Sequence, residues 1–225
     1  MTLATLTLIA MAAQVQVHAG DADVMLGAVD MPLLLADGVF SAADLDATRD
    51  VLQAAGIDAP GRFCLFAAET SQGLSVILLL DAPADGDPGD STPVSLGVET
   101  LLSGGDNILV NNDAGGWWYE YDLPEGLFGT GTLQWIHGTS GAALAWTGLD
   151  TLSTIDLSLF DVGGIQDTLE SPVLQMLSVD GTWDIVHEVD FDGTDTIGLT
   201  MDVVTIPAPS TLMLALCFTA RRRRR

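Results

Sequence analysis

The sequence predicts an all-β fold, an antiparallel β-sandwich or jelly roll with one N-terminal helix and a C-terminal transmembrane sorting segment. Three observations lead there. Ile197, Leu199, Met201 and Val203 alternate with Thr196, Thr200 and Asp202, the period-two pattern of a strand with one buried face. Asp180-Gly181 stands between two apolar runs, and its tolerance of positive φ suits a two-residue hairpin. Glycines and aspartates separate many further short runs, as in two-layer β folds.

In chain order, residues 1–19 come first. An apolar run from Leu3 to Ala13 precedes Val17-His18-Ala19, small residues where a signal peptidase reads, so cleavage after Ala19 is expected to leave Gly20 as the new N-terminus. No Lys or Arg occurs in this stretch, and only the terminal amine supplies a positive end. The competing reading is a buried N-terminal strand or helix. A helix follows: Ser41 caps it, Asp44 lies near the positive end of its dipole, Leu45, Val51 and Leu52 form its apolar stripe, and Gly56 stops it. It is expected across a sheet edge or an open end of the sandwich.

Strands are then predicted over 62–70, 74–81, 94–101, 108–112, 117–122, 132–137, 142–147, 151–161, 173–179, 182–190 and 196–204. Trp183, Ile185, His187 and Val189 are expected on one inner face. Residues 82–93, rich in Pro, Gly and Asp, read as an exposed loop. Residues 20–204 thus form one acidic β domain, with a sorting tail over 205–225.

Composition narrows the functional classes. The 225 residues hold 31 acids, 25 of them Asp, and no lysine. Apart from the five terminal arginines, only Arg49 and Arg62 oppose those acids, a balance of −29. Such a surface repels phosphate backbones, so nucleic acid is excluded as a partner and cations are the natural ones. The 48% apolar content supplies a core and argues against disorder. Outside the tail Cys64 is the one cysteine, so no disulfide forms within the domain, and its apolar neighbours mark it as a buried small hydrophobe.

The tail is the most specific feature. Pro207-Ala208-Pro209 is followed by an apolar stretch to Ala220 and by Arg221, Arg222, Arg223, Arg224 and Arg225. Guanidinium groups are costly at membrane depth, so the arginines stay cytoplasmic, and residues 203–220 form a span of marginal length. This arrangement resembles the PEP-CTERM family of bacterial surface proteins over about residues 205–225. Pro207 and Pro209 match the family's prolines and Arg221–Arg225 its basic end, while Ala208 stands where the family usually has Glu. The resemblance implies transient membrane anchoring, export to the cell envelope or beyond, and processing by signal peptidase and an exosortase-like membrane peptidase, often alongside exopolysaccharide.

Three constellations are candidate sites. Acidic loops hold Asp81, Asp85, Asp87 and Asp90, and Glu188, Asp190, Asp192 and Asp195; in the second, Asp190, Asp192 and Asp195 around Gly193 could ligate calcium. In 117–122, Trp118, Glu120 and Asp122 share a face suited to stacking on a sugar and accepting its hydroxyl protons, while the other reading makes Trp117, Tyr119 and Tyr121 core residues. Catalytic material is scarce: His137 and His187 fall within strands, and Gly138-Thr139-Ser140-Gly141 lacks the spacing of a nucleophile elbow. No catalytic residue is therefore assigned and the domain reads as non-enzymatic. The expected function is a structural or adhesive protein of the cell surface or extracellular matrix. The alternatives are a calcium-dependent glycan-binding module and a secreted glycoside hydrolase using paired carboxylates.

Overall fold

Runs such as Cys64-Leu65-Phe66-Ala67-Ala68 are apolar on both sides of a strand, whereas Leu199-Thr200-Met201-Asp202 is apolar on one, and the two kinds build different sheets. The computed structural model describes residues 11–31, 33, 35, 39–57, 61–81, 92–111, 116–137, 141–163, 165, 169, 172–180, 182–191 and 196–207. Among them are β1 (Met11–Ala19), β2 (Ala22–Gly27), β3 (Val29–Asp30), α1 (Ala42–Ala54), β4 (Phe63–Thr70), β5 (Gly73–Leu80) and β6 (Pro93–Ser103). There follow β7 (Asn107–Asn111), β8 (Trp117–Leu123), β9 (Gly126–Ile136), β10 (Ala142–Thr147), β11 (Thr154–Gly163), β12 (Val173–Val179), β13 (Trp183–Asp190) and β14 (Ile197–Pro207).

One sheet has the order β2-β1-β14-β11-β6-β9-β8; the other runs β13-β12-β4-β5-β10-β7, with β3 beside β4. The first is antiparallel throughout, while β4 pairs in parallel with both β12 and β3, so the predicted purely antiparallel sandwich is corrected to a mixed one. Between the sheets lies a core of Val15, Val17, Phe63, Leu78, Trp135 and Trp146 among many others. Phe63 meets Trp135 and Phe191 edge-on at 6.1 and 5.9 Å, a geometry the ring quadrupoles favour.

A second cluster lies on the far side of the β13-to-β7 sheet, where Cys64, Phe66, Ile77, Leu79 and Ala143 meet Phe40 and Leu52 from α1 and the segment before it. This layer explains why β10 is buried at every position and β5 at all but its first. We call this the covered sheet. Among the described residues no such cluster lies against the outer face of its partner, the open sheet. The helix starts where the sequence predicts: Asp44 N–H donates to Ser41 Oγ at 3.2 Å and Ser41 N–H to Asp44 Oδ2 at 3.1 Å, a reciprocal capping box. It lies on a sheet face, not an edge or end of the sandwich.

Residues 11–19, read from sequence as the close of a signal peptide, are β1, and residues 1–10 lie outside the described residues. It pairs with β14 from Met11↔Pro207 to Ala19↔Leu199 and with β2 from Gln14↔Gly27 to Ala19↔Ala22. Val15 and Val17 are fully buried. Gly20, the expected mature terminus, is instead the first residue of a two-residue turn with φ 60°, a conformation Gly adopts without steric cost. At the other end β14 continues to Pro207, past the expected boundary at 204. Ala208, Pro209 and Arg221–Arg225 lie outside the described residues. Among the described residues no helix is long and apolar enough to cross a membrane.

Two smaller expectations also change. Val179 pairs with Trp183, so three residues separate β12 from β13 where two were expected. A register shift between Met176 and Leu177 then divides β13: Val189 packs on the core between the sheets, while Trp183 packs on the helix-side cluster, edge-on to Phe66 at 5.5 Å. The four residues expected on one inner face do not share it.

Candidate functional site

The open sheet ends in β8, an edge strand, and its orientation reverses the expected one. Trp118 packs against the core between the sheets, its ring so close to Gly129 and Gly131 of β9 that a β-carbon at either would collide with it. Only glycines at these two positions leave room for an indole beside β9. Trp118 Nε1 donates to Glu120 Oε1 at 3.0 Å, which engages both groups with each other. Trp118 is thus half-buried on the core side, while Glu120 and Asp122 of the expected sugar face are exposed.

The opposite side of β8 carries the expected core residues, and they are exposed. Trp117, Tyr119, Tyr121 and Leu123 have relative exposures of 51, 57, 51 and 44%. The rings of Trp117 and Tyr119 lie 5.5 Å apart, and Tyr121 lies 6.4 Å from Phe128 of β9. Farther in, a β-carbon at Gly97 of β6 would collide with the Phe160 ring of β11, so Phe160 covers Gly97 on this same surface. Exposed rings in a strand-aligned file leave apolar area in water that a folded monomer rarely retains without a use.

Toward β2 the surface turns polar. Thr200 Oγ1 donates to Asp156 Oδ1 at 2.8 Å and Thr154 Oγ1 to Asp202 Oδ1 at 2.7 Å, each across neighbouring strands. His18 Nδ1 lies 2.6 Å from Asp23 Oδ1 and its Nε2 3.5 Å from Asp202 Oδ2. A shallow open groove of about 400 Å³ crosses this part, lined by His18, Gly20, Asp156, Ser158, Gly198 and Thr200 with backbone neighbours. His18 was missed because the signal-peptide reading removed it; its place in the Gln14, Gln16, His18 alternation was the available signal.

The acidic loops fare differently. Asp81 is fully buried, at φ 43°, and accepts from Gly61 N–H, from Trp135 Nε1 at 2.7 Å and, at Oδ2, from His137 Nδ1 at 2.8 Å. Its oxygens are committed to these donors, so Asp81 is a clamp between β5 and β9, not an ion ligand. Asp85, Asp87 and Asp90 lie outside the described residues, as do Asp192 and Asp195. Asp190 closes β13 as an exposed residue, and Glu188 accepts from Gln175 Nε2 at 2.7 Å. Among the described residues no group of three or more His, Cys, Asp or Glu is placed to hold a metal ion. His187 is half-buried on β13, and Cys64 is buried in the helix-side cluster.

Comparison with protein-family models, with curated proteins and with solved structures finds no match to this chain.

Proposed function

We propose that this chain is an exported cell-surface or matrix protein that adheres to polysaccharide through the outer face of its open sheet, with Trp117, Tyr119 and Tyr121 as the stacking platform. The exposed, strand-aligned file of those three rings carries the reading. A pyranose ring has an apolar C–H face that stacks on aromatic rings, and its hydroxyls need hydrogen-bond partners nearby. Thr130 of β9, directly opposite Tyr119, and the carboxylates beyond it supply those partners. The export half rests on the tail sequence from Pro207 to Arg225 and would make an exosortase-like peptidase the processing partner. In this fold Met11–Ala19 pair with β14 and β2, so cleavage after Ala19 would remove β1.

Affinity electrophoresis through gels cast with neutral β-glucans tests the adhesive half. The chain is expected to be retarded, and the Trp117→Ala, Tyr119→Ala double variant to migrate as in a gel without polysaccharide while keeping its melting temperature. Equal retardation of parent and double variant would end the reading. Fractionation of cells expressing the chain with and without residues 208–225 tests the export half, which fails if both forms stay in the cytosol.

A further inference from the structure

The outer face of the open sheet has a direction as well as a composition. Tyr119 pairs with Thr130, Thr130 with Glu99, Glu99 with Ser158 and Ser158 with Gly198, one row running perpendicular to the strands across β8, β9, β6, β11 and β14. Neighbouring strands stand about 4.8 Å apart, so five of them span roughly 19 Å, room for several pyranose units. Thr130, Ser158 and Gly198 are small, and Gly198 leaves open space above the backbone. The flanking rows hold Tyr121, Phe128, Leu101, Asp156 and Thr200 on one side and Trp117, Thr132, Gly97 and Phe160 on the other, with the Phe160 ring over Gly97. The row runs from the exposed rings of β8 to the groove lined by Ser158, Gly198 and Gly20.

Among the described residues the row's own charged side chains are acidic, and His18 is the basic side chain near its end. Glu99 stands exposed in the middle of the row, Asp156 borders it, and Asp202 and Asp23 meet His18 beside the groove. Lysine is absent from the chain, while Arg49 lies on α1 and Arg62 just before β4, both on the covered sheet's side. An occupant bearing uronate or sulfate groups would meet repulsion from Glu99 and Asp156. One bearing protonated amines would gain an ion pair at each carboxylate.

Resting on the polysaccharide reading above, we infer that this row takes a linear amino-polysaccharide, a chain of pyranoses with free, protonated amino groups. Its first rings stack on Trp117 and Tyr119, and its ammonium groups pair with Glu99 and Asp156. The exposed aromatics supply the attachment common to any β-linked glycan, and the carboxylates supply the preference.

The test is titration calorimetry of the full chain with short oligomers of glucosamine, of glucose and of a uronic acid, at low and high salt. Short oligomers are used because a long polycation would bind a chain of net charge −24 regardless of site. Glucosamine oligomers are expected to bind roughly ten-fold more tightly than glucose oligomers at low salt, from two or three exposed ion pairs, and the preference to shrink at high salt. Glu99→Gln with Asp156→Asn should abolish the preference, glucosamine and glucose oligomers then binding with equal affinity, while Trp117→Ala with Tyr119→Ala should weaken both sugars. Equal affinity for the two sugars, or tighter binding of uronate, overturns the amino-sugar inference and leaves the polysaccharide reading standing. Glucosamine binding that survives the double aromatic variant also overturns it, assigning the attraction to overall charge. Failure of all three sugars to bind removes the polysaccharide reading itself.

Discussion

The two outer faces of this sandwich have opposite fates. On the covered sheet, Phe66, Ile77 and Leu79 are sealed under Phe40 and Leu52. On the open sheet the equivalent surface carries threonines, aspartates and an exposed file of rings. A covered face is apolar because it is part of the fold. An exposed face is apolar only where something other than folding keeps it so, which is why the rings of β8 are functional candidates and those of β4 are not.

Four substitutions or deletions break or sharpen that contrast. The largest effect is expected from removing residues 1–19. Although β1 belongs to the open sheet, its inner side is core, and loss of Val15 and Val17 burial alone forfeits about 3–6 kcal/mol against a typical domain stability of about 5–15 kcal/mol. A truncated chain beginning at Gly20 should show no cooperative urea transition; a normal one would restore the signal-peptide boundary. Next, Phe66→Ala on the covered face should cost roughly 3–5 kcal/mol by the same measurement. Asp81→Ala, where the two sheets are clamped together, strands the Trp135 indole N–H and the Gly61 N–H and should cost roughly 2–5 kcal/mol. Smallest is Tyr119→Ala on the open face, expected within about 0.5 kcal/mol of the parent in stability while losing retention by polysaccharide. A large loss of stability there would make the ring structural and erase the contrast.

How far the sequence reveals this depends on whether a feature is local. The capping box of α1 is written within four residues, and helix and cap appear where expected. The strands from β4 to β14 are likewise legible, because alternation or a continuous apolar run is a property of one segment. The covering of one face was legible too, in the doubly apolar runs of β4, β5 and β10, but which surface the helix would take needed those runs read together. The orientation of β8 was not legible from β8. Its two faces are both aromatic, and the choice is made by Gly129 and Gly131 on the neighbouring strand. At the N-terminus two local signals compete. The apolar run to Ala13 with Val17-His18-Ala19 reads as a leader, while Val15 and Val17 alternating with Gln14, Gln16 and His18 ahead of Gly20-Asp21 reads as a hairpin, and the structure realises the hairpin. Asp81 looked like one acid among many, since nothing in its loop announces Trp135, 54 positions away.

The pairing of Met11 with Pro207 has a mechanical consequence. Met11 and Pro207 lie side by side, so tension applied between these two points would pull β1 and β14 apart from their shared end. Backbone hydrogen bonds then rupture one after another, as in a zipper, and the domain should yield at low force. A load that arrives through the broad face of the sheet and leaves through a single tether must slide strands along one another and strain many bonds together. The same fold would be weak as a link in a chain and strong as a hook on a line.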